Sequence, residues 1–428
     1  MCNSRFTQLI TTISIILTFS GIYAQKKEYE AIKSIIQQNP EVAETRALRL
    51  LADNTARKNN EYIARANYLL GVINYYQSQF FISNTYYTCA LNNPFAETNP
   101  EFVEICYNNK GINHEMLNEF PEALSSYRKS LEQSELVKDT SRIYQTYINI
   151  GIVQSRVSDY GQALDSFNGA LRYFKKMGDN LNIALCYQNI ALIYKDKGNT
   201  NEAVTMAHQA MIHHQKCGNT EGIVQTAALL GKSYAEAKNF SVSENYLKQG
   251  LALCTEEYLK PLAGDMYVMM AKNRIRQKNY AGVEELFKKA ENCYKMGDAA
   301  DNIDSYYQAL ADFYVRTGNY EQYRKVSDEY ETARAEKFQN VKIERYSELK
   351  SIFEYEDNIR RIELQEAALQ AGKKQLWYLE ALLLVLFSAS GVVLYYYLKN
   401  RRYLRSLFAS NLKQAQQGKI FDAPASAN

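Results

Sequence analysis

Three asparagines stand forty residues apart, at Asn109, Asn149 and Asn189. A primary amide offers one acceptor and two donors, which matches the N–H and C=O of a peptide group without reading its side chain. Such a ladder is suited to holding an extended peptide by its backbone. The same amides can instead bond within the protein and tie neighbouring segments together. Covalent chemistry has no comparable foothold. The sequence has no GxxxxGK followed by Ser or Thr, no GxGxxG and no GxSxG, so the common phosphate, dinucleotide and serine-nucleophile signatures are missing. His114-Glu115 is followed by Asn118 where a zincin would place histidine. His208, His213 and His214 have no acidic or cysteine partner at ligand spacing, and are expected at the solvated surface. No catalytic residue, cofactor or metal is therefore expected, and binding is the expected mode of action.

The elements that carry these amides repeat with them. Small residues recur every forty positions at Gly71, Gly111, Gly151, Ala191, Gly231, Ala271 and Ala311, with Ala31 in phase upstream. A second ladder runs nine residues behind, at Phe80, Phe120, Tyr160, Thr200, Phe240, Tyr280 and Tyr320. Within one period, Tyr147, Ile150 and Gly151 fall at helical spacing, Ser158-Asp159 interrupts, and Ala163, Phe167, Ala170 and Leu171 resume it. That spacing predicts two amphipathic helices with a polar turn between them. The small residues predict close approach of neighbouring helices, and Tyr160 a bulky plug fixing the angle of the pair. A unit of this size buries its apolar face only against its neighbours, which predicts an all-α solenoid of about eight helix pairs.

These features resemble the tetratricopeptide repeat. An aromatic precedes the small residue by four positions at Tyr107, Tyr147, Tyr187, Tyr267 and Tyr307. The closing pair appears as Ala90-Leu91, Ser130-Leu131, Ala170-Leu171, Ala210-Met211 and Gly250-Leu251. The resemblance covers about residues 25–332 and departs from the family twice. Its usual period is about 34 residues, so each unit here is roughly six residues longer. The last unit is also degenerate, with Tyr323 at the small position of the second helix and Ser327 at an aromatic one. HEAT and armadillo arrays have periods in the forties but would not explain this register. The resemblance implies a concave groove lined by the first helices, in which Asn109, Asn149 and Asn189 would hold a peptide or protein partner.

Two apolar segments lie outside the array. Arg5, an apolar run over Leu9–Ile22 and Tyr23-Ala24-Gln25 describe a signal peptide over residues 1–24, cleaved after Ala24,. An uncleaved anchor is the alternative, but the run is short for a span. Cys2 precedes the apolar core, the wrong place for a lipoprotein signal. The second segment, residues 376–398, would extend about 34 Å as a helix, enough for a hydrocarbon core of about 30 Å. Trp377 and Tyr378 at one end and Tyr395, Tyr396 and Tyr397 at the other suit interfacial belts,. Glu380 lies within a turn of the interface and is expected to reach the headgroups. Lys399, Arg401, Arg402 and Arg405 outweigh Lys373 and Lys374, which predicts a cytoplasmic C-terminus and periplasmic repeats on a single-pass bacterial inner-membrane protein,.

A formal charge of +3 over 428 residues gives no electrostatic case for nucleic acid,. Cys89, Cys106, Cys186, Cys217, Cys254 and Cys293 form no CxxC and share no clear phase, so buried free thiols are expected,. Residues 333–375 read as a helical linker, with Leu349, Ile352, Ile359 and Ile362 as part of a heptad seam,. Glu356 and Glu363 interrupt the seam, so a homodimeric stalk and a single solvated helix packed on the last repeat both remain open. The layout resembles membrane-bound tetratricopeptide regulators of Bacteroidetes-type bacteria. Their kinase or DNA-binding output would not fit the basic tail at 399–428, thirty residues long. The expectation is a sensor or adaptor, with an envelope scaffold or a truncated sensor kinase as alternatives.

Overall fold

A computed structural model describes residues 23–296 and 303–421, and all its regular elements there are helices. The predicted leader lies outside the described residues, apart from Tyr23 and Ala24 at the start of α1 (23–35). The helices pair as expected. With α1 goes α2 (Pro40–Arg57), followed by α3 (Asn60–Tyr76) with α4 (Phe80–Leu91). A short α5 (Pro94–Glu97) precedes α6 (Pro100–Met116) and α7 (Phe120–Leu136). Then come α8 (Thr140–Arg156) with α9 (Tyr160–Met177), and α10 (Asn180–Asp196) with α11 (Thr200–Cys217). The pairs α12 (Thr220–Glu236) with α13 (Phe240–Leu253) and α14 (Lys260–Arg276) with α15 (Val283–Met296) follow. The last is α16 (Ile303–Thr317) with α17 (Tyr320–Phe421).

The turns explain why the period holds. Lys58, Ser78, Asn118, Lys138, Ser158, Gly178, Gly198, Gly218, Lys238, Lys278 and Gly318 have φ between 54° and 76°, and are spaced by twenty or forty residues. After each, the next backbone N–H bonds to the carbonyl five residues back, as Asn59 does to Asn54 and Asn219 to His214. This left-handed closure satisfies carbonyls that a helix end otherwise leaves unpaired. The residue receiving it usually caps the following helix. Side-chain oxygens of Asn59, Asp139, Asp159, Asp179, Asn219, Asn239 and Asn319 accept from the N–H three residues on,. Seventeen helical residues and three turn residues make one half-unit, the length of α3, α6, α7, α8, α10, α12 and α14. Where α4 and α13 end early, α5 and the 3-10 turn Glu257–Leu259 restore the phase.

Packing within a pair differs from the expected meeting of backbones. A Cβ on Gly71 would lie 2.5 Å from the Tyr87 ring, on Gly151 2.9 Å from Phe167, and on Gly231 2.5 Å from Leu247. Gly111 faces Tyr127 in the same way. The missing side chain therefore makes room for a large one sixteen residues later, and that side chain is fully buried at Tyr87, Tyr127, Phe167 and Leu247. In register, Ala191 is matched by Ala207 and Ala311 by Ser327, while Ala271 with Phe287 departs from the size rule.

A polar relay joins successive pairs at two places. Ser83 Oγ donates to the Gly71 carbonyl at 2.6 Å and accepts from Asn113 Nδ2 at 2.8 Å. Four units on, Ser243 Oγ donates to the Gly231 carbonyl at 2.5 Å and accepts from Asn273 Nδ2 at 2.8 Å. The intervening registers hold Ala123 with Val153, Ala163 with Ile193, and Ala203 with Ser233. Opposite an alanine, the buried Ser233 hydroxyl has no partner.

The chain divides into two units, Met1–Lys350 and Ser351–Asn428. The first contains the array. In the second, the chain is helical up to residue 421, so no break marks the sequence boundaries at 375 and 398. Ala371–Lys413 is long and apolar enough to cross a membrane, and its apolar window is wholly exposed. Ile352, Ile359 and Ile362 lie on this helix, as Leu349 lies on the stretch before it, with side chains outside the described set.

Two stability tests follow from this packing. Gly231→Ala should cost about 1–3 kcal/mol by overpacking. In a Leu247→Ala background the same change should cost almost nothing, since the pair then matches Ala191 with Ala207. Chemical denaturation of the four-member cycle reads the coupling, and strictly additive costs would refute the seating of Leu247 over Gly231. One substitution should also act with opposite signs at two serines. Ser233→Ala removes an unpaired buried hydroxyl and should stabilise by about 1 kcal/mol, whereas Ser243→Ala strands two groups and should destabilise by about 1–3 kcal/mol. A shift of the same sign in both variants would show that the relay carries no energy.

Candidate functional site

The first helices of three consecutive pairs, α6, α8 and α10, enclose a cavity of about 410 Å³ lined by Glu104, Ile105, Asn108, Arg142, Gln145, Thr146, Ile148, Asn149, Asn182 and Leu185. Its floor is ionic. Glu104, 4% exposed, pairs with Arg142 Nη1 and accepts from Ser130 Oγ at 3.1 Å. Arg142 Nε also donates to Asp139, the cap of its own helix, at 3.1 Å. Both charges are thereby held in fixed partnerships, as burial requires. Nothing here pairs a reachable nucleophile with a base.

The three predicted asparagines share a phase but not an environment. Asn109 donates from Nδ2 to Tyr87 Oη at 3.3 Å and to Tyr68 Oη at 3.5 Å, both in the preceding pair. Burial pushes both phenols above their ordinary range, so they stay protonated,. Asn149 Nδ2 donates to Asn108 Oδ1 at 2.9 Å, linking α8 to α6. Asn189 Nδ2 returns to the Leu185 carbonyl of its own helix at 2.9 Å. Asn109 and Asn149 thus tie adjacent units together, and only Asn149 lines the cavity. Asn149 retains its Oδ1, and Asn108 its Nδ2, without a bond among the described residues. Together they present the acceptor and donors that a peptide group needs. Asn108 and the exposed Gln145 were not identified from the sequence; adjacency to Asn109 was the available signal for the first.

Histidine placement corrects the expectation of a solvated surface. His214 is fully buried, and His114, His208 and His213 are partly buried. His214 occupies the register of Phe174 and Tyr294, both buried, and Gly222 leaves space for its ring. Its Nε2 lies 2.9 Å from Gln188 Oε1 and its Nδ1 3.2 Å from Asn219 Nδ2, which fits a neutral ring protonated at Nε2,. Burial, and then the neighbouring His213, hold the His214 pKa below its ordinary value. His114 Nδ1 lies 2.8 Å from Glu119. Among the described residues, no group of three His, Cys, Asp or Glu side chains converges as metal ligands would. Among the described cysteines, Cys106, Cys186 and Cys254 are buried thiols as expected, but Cys217 at the end of α11 is exposed.

Residues 183–216, the greater part of α10 and α11, match the family model of the tetratricopeptide repeat. The array has a tetratricopeptide-like helical-repeat fold. The solved fold is shared with the quorum sensor NprR of B. thuringiensis in its apo form, at 14% identity and a TM-score of 0.55 over 72% of this chain and 87% of that one. Aspartyl phosphate phosphatase F from Bacillus subtilis is similar at 18% identity and 0.52, over 65% and 72%. A signal transduction ATPase with a tetratricopeptide repeat sensor, from Pyrococcus horikoshii, is similar at 16% and 0.52, over 75% and 49%. At such identities the likeness is one of fold. No curated protein matches the chain by sequence.

The His214 environment sets a pH dependence. Its folded pKa lies below the 6.5 of the free ring, so the unfolded chain takes up the proton first. Stability should therefore be at its plateau above about pH 7 and fall as pH drops through 6.5, with a slope of up to about 1.4 kcal/mol per pH unit from one proton. Denaturation midpoints of wild type and His214→Phe between pH 5 and pH 8 check this, with the slope expected to flatten in the variant. An unchanged slope would place the titrating group elsewhere.

Proposed function

We propose that this is a membrane-anchored tetratricopeptide sensor or adaptor, in which the groove of α6, α8 and α10 receives an extended segment of a peptide or protein partner. The observation that carries the reading is the unpaired amide edge of Asn108 and Asn149 in that cavity, which can bond a backbone C=O and N–H without selecting a side chain,. The action proposed is binding. Similarity to a quorum sensor and to a sensor region of a signal transduction ATPase supports signalling over scaffolding alone. A single helix over residues 376–398 supplies the anchor, the leader sends the repeats to the periplasm, and the excess of positive charge after Leu398 keeps the C-terminus in the cytoplasm. A dimeric stalk over 333–375 would pass a change in the array to a cytoplasmic partner.

Topology and binding are tested separately. A reporter after Asn428 should be cytoplasmic and one at Lys373 periplasmic; the reverse would remove the anchor from this reading. A photo-crosslinking residue at Gln145 in the full-length protein, in its own cells, should capture one discrete partner that the same probe at the exposed Val157 does not. Asn108→Ala with Asn149→Ala should lower that capture. Two neutral hydrogen bonds at about 0.5–1.5 kcal/mol each correspond to roughly five- to 150-fold in affinity. Equal capture at both positions, or capture indifferent to the two alanines, would exclude this groove as the binding site.

A further inference from the structure

The face built by the first helices changes character along the array. The position after each small residue holds Val72, Ile112, Ile152 and Leu192, then Lys232 and Lys272, then Asp312. One turn beyond Lys272 stands Arg276. Lys232 of α12, Lys272 and Arg276 of α14 and Ser305 of α16 converge on a second cavity of about 280 Å³, with Val268 and Met269 as its apolar wall. Lys272 is half-buried there, and its Nζ donates to Ser305 Oγ at 2.8 Å. Lys232 and Arg276 are exposed at the rim.

None of these three cations has a carboxylate at ion-pair distance among the described residues. Two carboxylates share the cavity, and one of them, Asp265, attracts Lys272 without reaching ion-pair distance. Asp265 accepts from Tyr294 Oη at 2.8 Å, and Glu236 closes the last turn of α12. Burial first, and then the charges of Arg276 and Lys232, push the Lys272 ammonium below its ordinary range. Like charges brought together in a partly desolvated pocket disfavour one another, and a structural role would have paired them. Arginine supplies a planar fork and lysine a mobile point charge, which together suit an oxyanion approached from the groove.

We propose that the cavity between α12, α14 and α16 is an oxyanion site, in which Lys232, Lys272 and Arg276 receive a carboxylate or phosphate group. It lies three pairs along from the amides of Asn108 and Asn149 and does not depend on their role. Where a ligand spans both, its acidic group sets the register that the sequence-blind amides leave open.

The test uses the full-length chain in nonionic detergent and three probes: rhodamine-labelled hexaglutamate amide, labelled hexalysine amide and inorganic phosphate. Hexaglutamate should bind at least tenfold more tightly than hexalysine, and its affinity should fall steeply with added salt. Displacement by millimolar phosphate would show that a free oxyanion suffices; resistance to it would assign the site to peptide carboxylates. Lys232→Gln with Lys272→Gln and Arg276→Gln should weaken hexaglutamate binding at least tenfold, while the charge-matched change of three exposed lysines elsewhere, Lys176→Gln with Lys197→Gln and Lys216→Gln, leaves it unchanged. The basic tail is present in every variant, so the difference belongs to the cavity. Melting supplies the second measurement. Removal of mutually repelling charges should leave the melting temperature of the triple variant equal to or above that of wild type. A lower melting temperature, or binding indifferent to the three substitutions, would overturn the proposal.

Discussion

The constraint on which the rest of this structure depends is the three-residue turn. A left-handed residue ends one helix, the following N–H reaches back five residues, and in most of these turns an Asn or Asp side chain then opens the next helix. Seven ordinary residues accept the left-handed conformation, at Lys58, Ser78, Asn118, Lys138, Ser158, Lys238 and Lys278, although it costs a side-chain-bearing residue about 1 kcal/mol or more. That cost is tolerated because each turn satisfies several polar groups at once. With the turn fixed, helix length is fixed, and residues forty apart in sequence stand in equivalent places. Every ladder in the chain inherits its regularity from that geometry.

Equivalent places need not hold equivalent residues, provided neighbours change together. The pairs Gly231 with Leu247 and Ala191 with Ala207 use similar space with different divisions of volume. The serine relay obeys the same rule between units. Ser83 meets Asn113 and Ser243 meets Asn273, whereas Ala123 and Ala163 are in register with Val153 and Ile193. Ser233 breaks the rule and leaves a buried hydroxyl without a partner. Such compensation stays local because each pair packs on its neighbours; the apolar clusters around Phe167 and around Phe287, for example, share no residue. A solenoid built this way can vary one unit without repacking the others.

The forty-residue ladders made the fold legible from sequence, since strict recurrence of small and aromatic positions has few other physical causes. The twenty-residue ladder of turn and cap was equally present in pairs such as Ser158-Asp159, but residues as different as lysine and glycine occupy its left-handed position and conceal it. Binding residues were less legible for a related reason. Phase places Asn109, Asn149 and Asn189 at the same point of their helices, but partners come from neighbouring units that are not identical. Tyr68 and Tyr87 engage Asn109, Asn108 engages Asn149, and the helix itself engages Asn189. His214 shows the converse. Its polarity indicated the surface, yet its register is that of Phe174, and Gly222 on the next helix makes the space.

Function in such an array has to be sought where repetition stops. A residue that recurs in every unit is required by the packing that recurs, so its chemistry is already engaged: the glycines by rings, the turn asparagines by backbone N–H groups. The face built by the first helices is under less of that demand, and its composition shifts from Val72, Ile112, Ile152 and Leu192 to Lys232 and Lys272 over a few units. The cavity of Asn108 and Asn149 and the cavity of Lys272 both lie on that face, each in a stretch whose side chains the neighbouring units do not share. Neutral amides in one and cations without a carboxylate at ion-pair distance in the other leave donors and acceptors that the contacts between units do not use up. Unpaired polar groups are what a surface needs in order to hold a ligand in one place and one direction, and the invariant turns keep those groups at fixed separations.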